Sequence, residues 1–63
     1  MTLVQFITER GDEAAASLFK VTIRTAMSWR LRDRRPRPKK AREIEQTTGG
    51  LVRMQECYED KAA

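Results

Sequence analysis

The sequence predicts an all-α fold: a compact bundle of four to five helices that contains a helix-turn-helix. Three observations carry the prediction. Apolar residues recur at three- and four-residue spacings, the period of a helix face. Residues that start helices, Thr2, Thr22 and Pro38, stand ahead of three of those stretches, and Gly11 and Gly49-Gly50 stand where two of them should stop. Between the second and third stretches only a short break intervenes, which is the length of a helix-turn-helix turn.

The first helix follows from Thr2 as N-cap and from Leu3, Val4, Phe6 and Ile7 sharing one side, with Gly11 as its stop. A second begins at Asp12 and Glu13, whose charges suit a helix N-terminus, and runs through three alanines to Phe19. Those alanines let another helix approach closely. Lys20 and Val21 break the pattern, and Thr22 caps a third helix expected to reach about Arg32. Val21 then fills the gap between the two, and Ala26 and Trp29 lean onto the helix over residues 14–19. Two prolines end the third helix and make residues 33–38 a connector. Pro38 opens a fourth helix to about Thr48, with Ala41, Ile44 and Thr48 inward. It begins basic and becomes acidic, against its own dipole, so it depends on packing. Over residues 51–58 the signal divides. Leu51, Met54 and Tyr58 fit a helical stripe, Val52, Met54 and Tyr58 a strand, and the helix is favoured. Residues 59–63 are expected to fray.

With 63 residues, the chain can bury only about 60% of its unfolded surface, so residues 1–63 form one domain with one small core. An apolar fraction of 40% supports such a core and leaves room for association to complete it. Cys57 is the only cysteine and there is no histidine, so no disulfide, metal site or cofactor is expected, and the thiol reads as buried in a reducing cytoplasm. No apolar run approaches the ~20 residues that span a bilayer, which makes the chain cytoplasmic and not membrane-bound. Catalysis finds no support: Cys57 lacks a base, and Glu9, Asp12, Glu13, Glu43 and Glu45 stand at helix starts or in solvated positions.

Charge is the feature that points to a partner. Residues 30–42 hold eight of the thirteen Lys and Arg against one acid, a net +7 within a chain whose total is +4. Such a block needs water or a polyanion, and nucleic acid is the commonest polyanion. It also follows directly on the third helix, where a rotation of about 100° per residue puts Thr22, Ala26 and Trp29 on one side and Ile23, Arg24, Met27, Ser28 and Leu31 on the other. An outward helix of that kind can enter a major groove while cations behind it hold phosphates. A competing arrangement exists, because Ile23, Met27 and Leu31 form an i, i+4, i+8 stripe typical of a core face. Burying that stripe would expose the single tryptophan. The Val21-to-Trp29 spacing and the alanine-lined second helix favour the outward assignment.

The run Gly11-Asp12-Glu13-Ala14-Ala15-Ala16-Ser17-Leu18-Phe19-Lys20-Val21-Thr22, followed by Ala26 and Trp29, resembles the helix-turn-helix of the Cro and YdaS-like proteins of phages and prophages. The stretch from Arg35 to Gly50, with its Ile44-Glu45 and closing Thr48-Gly49-Gly50, is similar to the helix that follows in that group. The two halves together cover about 40 residues. The resemblance implies a lambda-repressor-like helical bundle that reads double-stranded operator DNA as a dimer, with base contacts at Thr22, Ile23, Arg24, Met27 and Ser28. Two departures stand out. Lys20 occupies the turn position where the group has glycine, and Ala26 replaces a branched apolar anchor.

Chemistry assigns the roles. Arg24 can pair bidentately with a guanine edge or instead hold a phosphate, Ile23 and Met27 can meet thymine methyls, Ser28 can reach a base or a phosphate, and Thr22 also serves as the cap. Lys20, Arg30, Arg32, Arg34, Arg35, Arg37 and Lys39 are the candidate phosphate contacts. Leu51, Val52, Met54, Cys57 and Tyr58 are the candidates for a homodimer interface, with completion of the monomer core as their other use. The function expected is that of a Cro-type repressor occupying an operator. The same motif would serve an antitoxin, an excisionase or an activator, and the apolar stripe of the third helix would serve a protein-interaction module.

Overall fold

In the computed structural model, which describes residues 1–58, the chain forms α1 (Leu3–Arg10), α2 (Asp12–Phe19), α3 (Ile23–Arg30) and α4 (Pro38–Thr47), then a short 3-10 helix, Met54–Cys57. The fold is all-α, with no strand among the described residues, and the divided signal after Gly50 resolves into bends and that 3-10 turn. The expected fraying of residues 59–63 lies outside the described residues. No helix of the described residues is long and apolar enough to cross a membrane.

The helix starts are set by local chemistry. Thr2 Oγ1 accepts from the Gln5 backbone N–H at 3.1 Å while the Gln5 side chain accepts from the Thr2 N–H at 3.0 Å, a reciprocal capping box. Thr22 Oγ1 accepts from the Thr25 N–H at 3.1 Å, and Pro38 occupies the first turn of α4, where its missing N–H costs nothing. Between α1 and α2 the chain turns at Gly11, whose φ of 94° and ψ of 150° belong to a region nearly exclusive to glycine.

Three helices end in the same way. After α2, Val21 N–H donates to Ala16 O and Lys20 N–H to Ser17 O; after α3, Asp33 donates to Ser28 O and Arg32 to Trp29 O; after α4, Gly50 donates to Glu45 O and Gly49 to Gln46 O. Each is a Schellman closure, which requires one left-handed residue. That residue is Gly49 after α4 (φ 65°), but Lys20 (φ 58°) after α2 and Arg32 (φ 65°) after α3. A side chain in this conformation is disfavoured where glycine is not. Lys20→Gly is therefore expected to raise stability by about 0.5–1 kcal/mol, read as a higher urea midpoint at unchanged m-value. The third helix thus stops at Arg30, two residues short of the expected end, because Leu31 and Arg32 form its cap.

The core gathers Leu3, Phe6 and Ile7 of α1, Ala15, Ala16 and Phe19 of α2, Ala26 and Trp29 of α3, and Ala41 and Ile44 of α4. Alanines at the α2–α3 contact permit the close approach that their size predicts. The Phe6 and Phe19 rings lie 5.5 Å apart and the Phe19 and Trp29 rings 6.4 Å apart, both tilted, so one aromatic series joins three helices. Val52 and Cys57 complete this core. They are buried within the monomer, which removes both from the expected dimer interface. Met54 is half-buried against the same cluster, whereas Leu51 and Tyr58 stay exposed.

Burial has a chemical consequence for Cys57. Desolvation, aided by the Glu45 and Glu56 carboxylates, pushes its thiol up to about 11. Alkylation by iodoacetamide at pH 8 is expected to proceed only as fast as the protein opens, and to accelerate sharply in denaturant. Fast labelling of the folded chain would contradict this burial.

Candidate nucleic-acid interface

Helices α2 and α3, eight residues each, are joined by the three residues 20–22. Their relative placement is pinned at the open end by an ion pair: Arg30 Nε and Nη2 donate to the two Asp12 carboxylate oxygens at 2.8 and 3.1 Å. The pair ties the start of α2 to the end of α3, and it revises the role of Arg30. A guanidinium already forked onto a carboxylate is first a fastener between helices.

The Arg30 hydrogen bonds hold the Asp12 carboxyl below its ordinary range. A depressed carboxylate stabilises the fold above its unfolded pKa of about 3.9, and that contribution disappears as pH falls through the lower folded value. Unfolding titrations from pH 6 downward should show a loss of stability in this acid window that is smaller in Asp12→Asn. Parallel curves for the two proteins would refute the coupling.

The exposed side of α3 carries the residues expected there. Trp29 is 5% exposed and Ala26 is buried, while Ile23, Met27 and Leu31 are 49%, 36% and 53% exposed. At about 100° per residue, Arg24 and Leu31 stand opposite the Ala26–Trp29 edge, with Met27 on one flank and Ser28 on the other. Arg24 is exposed and has no partner among the described residues. Thr22 is exposed as well, but its hydroxyl is occupied by the Thr25 N–H and by Thr25 Oγ1 at 2.9 Å. It is the helix cap first.

Along the Ser28 flank of α3 runs an open cleft of about 430 Å³, bounded by Arg24, Thr25, Ser28 and Trp29 on the helix and by Arg34–Arg37 and Lys40 across from it. The far wall is fixed by two side chains. Tyr58 Oη donates to Pro36 O at 2.8 Å, and Lys40 Nζ donates to Phe19 O at 3.3 Å and pairs with Glu43 at 3.1 Å. Pro36 itself is buried, so the connector is seated on the fold.

Comparison with known proteins finds no matching family model, no matching curated protein and no matching solved structure. The function must therefore be argued from this chain's own geometry.

Of the sequence-derived phosphate contacts, Arg34, Arg35 and Arg37 line the cleft with Arg24, whereas Lys20, Arg32 and Lys39 are exposed without lining it. Lys40 and Thr25 line it too, and sequence reasoning missed both. For Lys40 the signal was present, since it lies one helical turn after Arg37 inside the basic block. Thr25 carried none beyond its three-residue spacing from Thr22 and Ser28. Tyr58, a candidate dimer contact that stays exposed, also braces the connector. Among the described residues no cluster of His, Cys, Asp or Glu could hold a metal ion.

Proposed function

We propose that this protein is a sequence-specific double-stranded DNA-binding transcriptional regulator of the Cro type, a repressor that occupies an operator as a homodimer and performs no catalysis. The observation that carries the reading is the division of α3. Its aromatic and small residues, Trp29 and Ala26, are buried, and its opposite side presents Arg24, Met27, Ser28 and Leu31 to solvent beside a cationic cleft. A helix so presented has the two parts a duplex reader needs: side chains that distinguish base edges, and flanking cations that hold the backbone in register.

Within this reading, Arg24 recognises a base edge through its guanidinium, Ser28 through its hydroxyl, and Ile23 and Met27 meet thymine methyls. Arg34, Arg35 and Arg37 neutralise phosphates on the cleft side, with Lys20, Arg32 and Lys39 further out. If about 3 phosphates per subunit are neutralised, a dimer gives a log K against log salt slope of about −5. With Val52 and Cys57 committed to the monomer core, the surface left for self-association near the C-terminal end of the described residues is Leu51 and Tyr58.

One observation supports a second reading. Ile23, Met27 and Leu31 form an exposed apolar stripe, which would equally suit the groove-side face of a partner helix. Selection of bound duplexes from a random DNA pool at near-physiological salt separates the two. An enriched inverted repeat is the expected result. A pool without enrichment, whose retention vanishes with modest salt, would leave only backbone attraction and favour the partner-helix reading. An antitoxin, excisionase or activator would give the same enrichment and differ only in where the site lies.

A further inference from the structure

We infer that the cleft between α3 and the connector is a receptor for a multiply charged phosphoryl anion in its own right, whether or not α3 enters a duplex groove. Five of its described lining residues are cations, Arg24, Arg34, Arg35, Arg37 and Lys40, and none of the described ones is an acid. Two neighbouring cations are engaged by carboxylates, Arg30 by Asp12 just outside the cleft and Lys40 in part by Glu43 at its edge. In the cleft, Arg24, Arg34 and Arg37 have no partner among the described residues. Converging like charges repel one another unless an anion sits between them.

Neutral donors point the same way. Trp29 is only 5% exposed, yet no group among the described residues accepts a hydrogen bond from its indole N–H, and that nitrogen is not sealed from solvent. Trp29 is among the residues that line the cleft. The Ser28 hydroxyl lines it as well and is likewise unengaged among the described residues. A set of guanidinium forks, an indole N–H and a hydroxyl that can donate, with Val21 and Pro36 as apolar walls, fits a group bearing several acceptor oxygens. Guanidinium forks match the oxygens of a phosphoryl group bidentately. The volume of about 430 Å³ falls in the ordinary range of small-ligand sites, about 300–1,000 Å³, and exceeds what a single chloride needs. A free polyphosphate and a nucleic-acid backbone both carry this chemistry.

The test uses the full chain, ¹⁵N-labelled and titrated with sodium triphosphate at constant ionic strength. Saturable displacement of the Trp29 indole resonance together with Thr25 and Ser28 is expected. The double variant Arg34→Gln/Arg37→Gln changes two exposed side chains and should retain the fold's spectrum while binding at least about tenfold more weakly, the loss of one or more charge-assisted hydrogen bonds. Arg42→Gln/Arg53→Gln removes the same charge outside the cleft and should bind nearly as the unaltered chain does. Linear, unsaturating shifts, or equal losses in both double variants, would reduce the cleft to diffuse attraction and overturn the inference. Addition of a short duplex to the triphosphate complex then identifies the source. Displacement of triphosphate shows that a nucleic-acid backbone shares the seat, and a ternary complex shows that free polyphosphate is its occupant. Sequence-selective duplex binding with no triphosphate site would sink this inference and leave the proposed function standing.

Discussion

Trp29→Ala is expected to cost about 3–5 kcal/mol and to leave the chain largely unfolded at physiological temperature. The domain is small, and at about 0.05–0.15 kcal/mol per residue its whole stability is of the same order as that loss. Trp29 ends the aromatic series that begins at Phe6 and passes through Phe19, so its removal opens a cavity where α1, α2 and α3 meet. The same core is rich in alanine, Ala15, Ala16 and Ala26, whose methyls are too short to fill that space. Thermal unfolding followed by far-UV circular dichroism should show a midpoint lower by more than about 10 °C. Trp29→Phe, which keeps most of the ring volume, should recover much of the difference. A cooperative transition within a few degrees of the parent would mean that the three helices are held by something other than this series.

Arg24→Ala is expected to act on recognition and not on folding. The side chain is exposed and unpaired among the described residues, so its loss removes no internal contact, and the unfolding midpoint should barely move. A guanidinium paired bidentately with guanine is worth about 1–3 kcal/mol of discrimination, which corresponds to roughly 5- to 150-fold in affinity for the selected duplex. For a scrambled duplex, a base-reading arginine contributes little. Fluorescence anisotropy on both duplexes at one salt concentration reads the difference directly. Equal losses on the two, with the salt slope smaller by about one, would instead make Arg24 a phosphate contact. The base-reading role would then pass to Ser28, Ile23 and Met27.

What the sequence made legible divides along a physical line. The starts of α1, α3 and α4 were readable because each is written within one helical turn, in Thr2 with Gln5, Thr22 with Thr25, and Pro38 itself. The outward face of α3 was readable because a single tryptophan is costly to expose. The pairing of Arg30 was hidden because its partner lies 18 residues away, a distance at which local pattern carries no information. Val52 and Cys57 were left open between core and interface because helical and alternating periods coincide at Met54 and Tyr58, and only tertiary packing decides between them. At Lys20 the departure from glycine posed a question about the backbone, and its φ of 58° answers it. Arg32 holds the same conformation, with no sequence signal to mark it. The cleft was half visible: its cations stood out as a block, but Pro36 at its wall reads as a mere chain breaker until Tyr58 is seen to hold it.

That hold has a consequence for the order in which the molecule becomes competent. The Pro36 carbonyl and the Tyr58 hydroxyl that binds it are 22 residues apart, so a ribosome adding about 5–20 residues per second makes the arginines of the connector a second or more before their brace. Val52, Cys57 and the tyrosine all follow the connector in order of synthesis. The nascent chain thus passes through an interval in which the cationic wall beside α3 has been made and the hydroxyl that holds its course has not. The last described turn of the protein finishes a wall begun 22 residues earlier.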